Sequence, residues 1–285
     1  MTNTPSTTIA VVGATGQQGG AAARALLAAG HRVRGLTRST SSPAAVALTE
    51  AGIEMVHADL NDATTVRAAL DAVDGVFAVT TPTEQDGPAG ETRHGITIAE
   101  AAAAAGVRHL IYSSVGGAER NTRIPHFDSK YAVEAHLAGL DLASTVLRPV
   151  FFMENLLTTR ADGGWVTVAL PLPADVAIQM IATVDIGRVA AAVMLNPDWY
   201  GRALEIAGDE LTGPQMADAF SAVSGLPADY RALPLSVMAG NTDLHRMFEW
   251  FTEPVAYTAD FATTRALDPT VQTLKSWLTG RGWPA

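Results

Sequence analysis

No cysteine occurs among the 285 residues. That removes a disulfide framework, a thiol nucleophile and a thiolate metal site. The seven histidines show no HExxH or comparably close spacing, so no metal is expected. No run of about 18 apolar residues is present, and the opening MTNTPSTT lacks the basic start and apolar core of a secretory signal. No membrane association is therefore expected, and the expected location is cytoplasmic. The formal net charge is −10, and no Lys/Arg cluster offsets it locally, which argues against direct nucleic-acid binding. There is no internal repeat. What the chain does have is apolar content, 48% of its residues, enough for one large or two modest domains burying roughly three quarters of the unfolded surface.

The apolar residues are arranged in an alternation. TTIAVV (7–12) is β-branched and apolar, GATGQQGG is a glycine-rich turn, and AAARALLAAG has helical composition until Gly30 stops it. Strand and helix patterns then follow in turn. They are HRVRGLT, SPAAVALTEAG, IEMVHA, DATTVRAALDAV, GVFAVT, ETRHGITIAEAAAAAG, VRHLIYSS, HFDSKYAVEAHLAGL and STVLRPV. Alternation with short joints predicts an α/β fold of the Rossmann type, a doubly wound parallel sheet covered on both faces. After residue 150 proline and glycine interrupt the rhythm in FFMENLL and GGWVTVALPLP. DIGRVAAAVML and RALEIAG read as a helix and strand returning to the sheet, whereas LTGPQMADAFSAVSG and PTVQTLKSWL read as lobe helices. The expected division is 1–152 with 182–208 as the sheet domain, and 153–181 with 209–285 as a smaller α/β lobe.

Gly13, Gly16 and Gly19 form GxxGxxG between the first strand and helix. Such glycines allow a tight turn and close backbone approach, presenting a helix N-terminus to a pyrophosphate; a purely steric turn is the alternative. Dinucleotide binders of the NAD type carry an acid near the end of the second strand, whereas an arginine there accommodates a 2′-phosphate. Here Thr37, Arg38 and Ser39 occupy that end, and no acid follows until Glu50, so NADP(H) is the expected cofactor. A solvated strand-end charge is the other reading of Arg38, and Arg34 is a second candidate. Asp59, closing the third strand, either approaches the adenine or caps the next helix, with Asn61 and Asp62 competing for the cap. Thr15 and Gln18 of the loop, with Thr80, Phe152 and Asn155, complete the expected cofactor set.

With VVGATGQQGG, VRGLTR, HFDSK and VLRPVFFMENLL in that order, followed by ATVDIGRVAAAVMLNPDWYG, ALEIAGDELT and DLHRMFEWF, the chain resembles the NmrA-like family of atypical short-chain dehydrogenases over most of its length. The resemblance implies an NADP(H)-binding sheet domain, a small C-terminal lobe and a cofactor cleft between them. Ordinary short-chain dehydrogenases present a serine at the fifth strand and Tyr-x-x-x-Lys on a later helix, the lysine holding the nicotinamide ribose and lowering the tyrosine pKa. Ser113 and Ser114 end the fifth strand here, and Lys130 matches the lysine. His126 stands at the tyrosine position. Tyr131 does not substitute, since it points about 100° around the helix. Lys130 is thus expected to anchor the ribose. Histidine can donate a proton near neutral pH, but a satisfied structural role for His126 is the commoner outcome.

Phe151, Phe152 and Met153 follow the sixth strand, where open parallel sheets bind ligands. Trp165, Met247 and Trp250 add aromatic and thioether surface. Such residues suit a planar apolar substrate, or else form the lobe's own core. Two functions remain open. One is an NADPH-dependent reductase of a quinone-like aromatic, with Ser113, Ser114 or His126 polarising the acceptor. The other is a non-catalytic NADP(H) redox sensor acting through a protein partner. A homodimer is compatible with either.

Overall fold

The computed structural model describes residues 7–83 and 86–283. The outermost residues of the expected domain ranges, 1–6 and 284–285, lie outside the described residues, as do 84–85. The alternation is present throughout the first half. Its elements are β1 (Thr8–Val11), α1 (Gln17–Ala28), β2 (Arg32–Thr37), α2 (Pro43–Glu50), β3 (Glu54–His57), α3 (Ala63–Ala69), β4 (Gly75–Val79), α4 (Gly87–Ala104), β5 (His109–Ser113), α5 (Pro125–Leu137) and β6 (Ser144–Pro149). The second half contributes β7 (Phe151–Phe152), β8 (Ala161–Asp162), β9 (Trp165–Leu170), β10 (Ile178–Ile181), α6 (Thr183–Val193), β11 (Ala203–Ile206), β12 (Asp209–Leu211), α7 (Gly213–Ser224), β13 (Ala228–Ala232), α8 (Thr242–Trp250), α9 (Phe261–Leu267) and α10 (Leu274–Gly280).

Seven strands form one sheet in the order β11-β6-β5-β4-β1-β2-β3, every pairing parallel. Because helices cover both faces, the central strands are apolar on both sides, and every residue of TIAV in β1 is buried. The pleat sends Ile9 and Val11 to one core with Leu26 of α1 and Ile186 of α6. It sends Ala10 to the opposite core with Ile98 of α4 and Val133 of α5. Burial of a side chain such as Leu26 is worth about 2 kcal/mol. The chain winds outward from β1 through β2 to β3, then crosses back to β4 on the other side. This reversal opens a crevice at the carboxyl ends of β1 and β4.

The lobe carries two small sheets, β12-β10-β7 and β13-β9-β8, around a third core that includes Phe127, Phe151, Met153, Phe220 and Trp250. Its limits differ from those expected. Phe151 already pairs with Met180 of β10, so the lobe begins before residue 153. Conversely, α9 packs on α6 and β11, and Ala259, Phe261 and Leu267 join the sheet-domain core, so part of 209–285 returns to the larger domain. Hydrophobic pattern marks these segments as half-buried without saying against which core they pack. Among the described residues no helix is long and apolar enough to cross a membrane.

Candidate functional site

The crevice begins at the glycine loop. Gly13 has φ +74°, and a Cβ there would lie 2.8 Å from the Val79 side chain. A Cβ on Gly19 would lie 2.1 Å from the Gly13 carbonyl oxygen, so the first turn of α1 seats directly against the loop. Gly16 is the N-cap of α1, and no side chain caps the helix. Its first amides therefore suit an anion, and the helix dipole favours negative charge there. Ser113 donates to Gln18 Oε1 at 2.7 Å, tying β5 to the first turn of α1.

From this loop a cleft of about 600 Å³ extends over the ends of β2, β3 and β4, within the usual range of roughly 300–1,000 Å³ for small-molecule sites. Gly13, Thr15, Gly16, Gln18, Gly19, Arg38, Asp59, Thr80 and Phe152 all line it. So do Ser39, Ser42, Asn61 and His94, which sequence reasoning did not assign to the site. Lys130 and Asn155, the other two expected cofactor residues, are not part of the lining. Asn155 is exposed on a 3-10 turn (Met153–Thr158). These residues fit a dinucleotide, with uncapped amides for the pyrophosphate and a guanidinium at the far end.

At that far end Asp59 accepts from the Asn61 backbone amide at 2.9 Å. That bond, the Asn61 side chain and the nearby Arg38 charge hold its carboxyl below the ordinary aspartate value. Asp59 is not a helix cap: Asp62 takes that role, accepting from Thr64 N. Arg34 is no candidate for a 2′-phosphate, because it is spent on Glu54 Oε2 at 3.2 Å and on the carbonyls of Ala69 and Asp71. His94, in α4, donates to Asn61 Oδ1 at 2.9 Å.

Lys130 stands behind Thr80, donating to its carbonyl at 3.1 Å. Its ammonium also lies 2.9 Å from Glu91 Oε1 and 5.7 Å from the centroid of the Tyr112 ring. Glu91 is fully buried and accepts from Thr80 Oγ1 at 3.2 Å and Ser129 Oγ at 2.5 Å. Since the single Thr80 hydroxyl proton goes to Glu91, the Tyr112 hydroxyl donates to Thr80 at 3.1 Å. Burial works to lower the Lys130 pKa, but the acidic groups around it, with Glu91 in direct contact, outweigh burial and hold the value above that of ordinary lysine. Burial pushes the Tyr112 hydroxyl up. Neither Glu91 nor Tyr112 was singled out from the sequence. Tyr131 is 42% exposed.

The remaining expected groups are differently placed. His126 donates from Nδ1 to Asp243 Oδ1 of α8, and Ser114 donates to Glu134, whose carboxylate holds Arg148 at 2.6 Å. Both groups, expected to polarise an acceptor, are instead hydrogen-bonded to carboxylates. Phe151, Met153 and Trp250 are buried in the lobe core rather than at a ligand surface, and Met247 packs against that core. Their apolar character had two possible destinations, and packing took these four. Trp165 is 47% exposed on β9, outside the cleft lining. Phe152 alone of the expected substrate residues reaches the cleft.

Strand order, glycine loop and crevice together define a Rossmann-type α/β protein with a small C-terminal lobe. The chain belongs to the NmrA-like family, whose model matches residues 5–279. It is 31% identical over 266 residues to the NmrA-like family domain-containing oxidoreductase himF of Aspergillus japonicus, covering 85% of this chain and 80% of that one. It is likewise 31% identical over 234 residues to the NAD(P)H azoreductase of Xenophilus azovorans, covering 80% and 77%. Among solved structures, NmrA, a negative transcriptional regulator in complex with NADP, superposes with a TM-score of 0.82 at 20% identity, covering 97% of this chain and 95% of that one. The NADPH-dependent quinone oxidoreductase QOR2 of Escherichia coli, in complex with NADPH, gives 0.81 at 23%, covering 96% and 99%.

Proposed function

We propose that the protein binds NADP(H) in the cleft and uses NADPH to reduce a quinone-like aromatic acceptor. The observation that carries this reading is the single continuous cleft joining the uncapped α1 terminus, Arg38 and Thr80 with Lys130 behind it. Bound NADPH would supply a hydride. The α1 amides would take the pyrophosphate, Arg38 the 2′-phosphate and Lys130 the ribose beside Thr80. With His126 outside the cleft lining and its Nδ1 bonded to Asp243, this reading places no acid against the acceptor from the tyrosine position. A quinone-like acceptor tolerates this, because hydride addition gives a phenolate-like anion that takes its proton from water; an aliphatic ketone requires an acid. Relatives and structural neighbours named for azo, quinone and triphenylmethane reduction support an aromatic acceptor class.

A second reading has its own support. The His126–Asp243 pair joins α5, which carries Lys130, to α8 of the lobe, and one structural neighbour is a transcriptional regulator. A redox sensor would use such a joint to pass the cofactor state to a protein partner. One experiment separates the two. NADPH absorbance is followed anaerobically with naphthoquinone-like compounds and with aliphatic ketones, and the reductase reading expects turnover with the former only. If no aromatic acceptor is reduced, and NADPH and NADP⁺ give different protease sensitivity in the lobe, the sensor reading stands instead.

A further inference from the structure

Glu91 and Lys130 form an ion pair in which the carboxylate is fully buried and the lysine is 8% exposed. Burying such a pair costs desolvation free energy that two packed apolar side chains would not, so stability is a poor reason for it. The surroundings are built for the pair. Ser129 binds one Glu91 oxygen, Thr80 Oγ1 and Lys130 share the other, and Tyr112 completes the chain through Thr80. Two other parts of the fold, α5 and the end of β4, converge on this carboxylate of α4, and β5 joins through Tyr112 and Thr80.

An ammonium has three N–H bonds. Among the described residues, Glu91 and the Thr80 carbonyl take two from Lys130, and Thr80 itself lines the cleft. We propose that Glu91 is the positioning residue of Lys130, keeping its ammonium charged at the end of β4 and directing the third N–H to a ribose hydroxyl of the cofactor. The inference rests on the cofactor reading above. Glu91 itself touches no ligand and acts only through Lys130. The charged or titratable groups facing Lys130 are Glu91 from α4, Tyr112 from β5 and Glu134 from its own helix. Without the Glu91 charge, the carboxylate in direct contact with Lys130 is gone, and the lysine gives up its proton at a lower pH.

The test is fluorescence titration of the full chain with NADPH from about pH 7 to about pH 10. The proteins are the wild type, Glu91→Gln, Lys130→Met and the double variant. Wild-type affinity should stay level until the lysine range is passed. In Glu91→Gln the affinity should fall at least tenfold, with a midpoint roughly two pH units lower. Lys130→Met should bind weakly at every pH, and adding Glu91→Gln to it should change neither affinity nor profile. A purely structural Glu91 would weaken binding without moving the pH profile, and that result overturns the proposal. If Lys130→Met binds like the wild type, the cofactor role of Lys130 fails first and the inference falls with it. Should circular dichroism show Glu91→Gln unfolded, Glu91→Asp decides, since it keeps the charge but draws the carboxylate away from the Lys130 ammonium. A smaller shift in the same direction supports the proposal, and an unchanged profile refutes it.

Discussion

His126 and Asp243 are hydrogen-bonded across the two parts of the molecule, Nδ1 lying 2.5 Å from Oδ1, at the position where a Tyr-x-x-x-Lys motif would place its acid. The pair is part-buried, the two side chains 19% and 26% exposed, so its contribution is modest. His126→Phe and Asp243→Ala should each lower stability by about 0.2–1 kcal/mol, and the double variant by less than their sum. NADPH affinity should stay within about twofold of wild type in both. Urea unfolding and calorimetric titration check this, and lost cofactor binding in His126→Phe would return the histidine to the site.

Arg38 lines the cleft where a 2′-phosphate would sit. Arg38→Ala should remove charge-assisted hydrogen bonds worth about 1.5–3 kcal/mol, weakening NADPH roughly ten- to hundredfold and leaving NADH unchanged. Arg34→Ala should spare both cofactors and instead loosen the join of β2 to β3 and α3, where its bonds are made. Titrating both nucleotides into both variants tests the assignment, which equal wild-type affinity for NADH and NADPH would refute.

Gly19→Ala places a methyl 2.1 Å from the Gly13 carbonyl oxygen. The loop or helix must shift, at a cost of about 1–3 kcal/mol, and the uncapped amides lose their alignment. NADPH affinity should fall by at least about tenfold while the circular dichroism spectrum is retained. Unchanged affinity would show that the loop does not hold the cofactor.

His109, the first residue of β5, is buried against the segment after α6, where Nδ1 accepts from the Leu195 amide at 3.1 Å. Nε2 therefore carries the proton and donates to Thr145 at 2.8 Å. Burial pushes its pKa down to about 4. The folded chain refuses a proton that the unfolded chain binds below about pH 6.5, so this contribution is complete above pH 6.5 and lost as pH falls toward 4. Between pH 7 and pH 5 the loss should be on the order of 2 kcal/mol. Comparing wild type with His109→Gln by urea unfolding at both pH values isolates it: the variant should lack this component of the pH dependence.

The sequence by itself determined the doubly wound sheet, the glycine loop and the place of Arg38. Each is a local matter: β-branched runs, helix-favouring alanines, and glycines at a strand-to-helix turn encode their conformation within a few residues. Family resemblance rested on the same short motifs. Tertiary structure decided where side chains go once elements pack. Phe151 and Phe152 are adjacent and equally apolar, yet the pleat sends the first into the lobe core and the second to the cleft. Glu91 reads from sequence as one more acid on a long helix, and only the packing of α4 on α5 brings it to Lys130. His94 reaches Asn61, and Asp243 reaches His126, in the same way. Periodicity fixes which face of an element is buried, whereas the partner across that face is set by the packing of chain segments far apart in sequence.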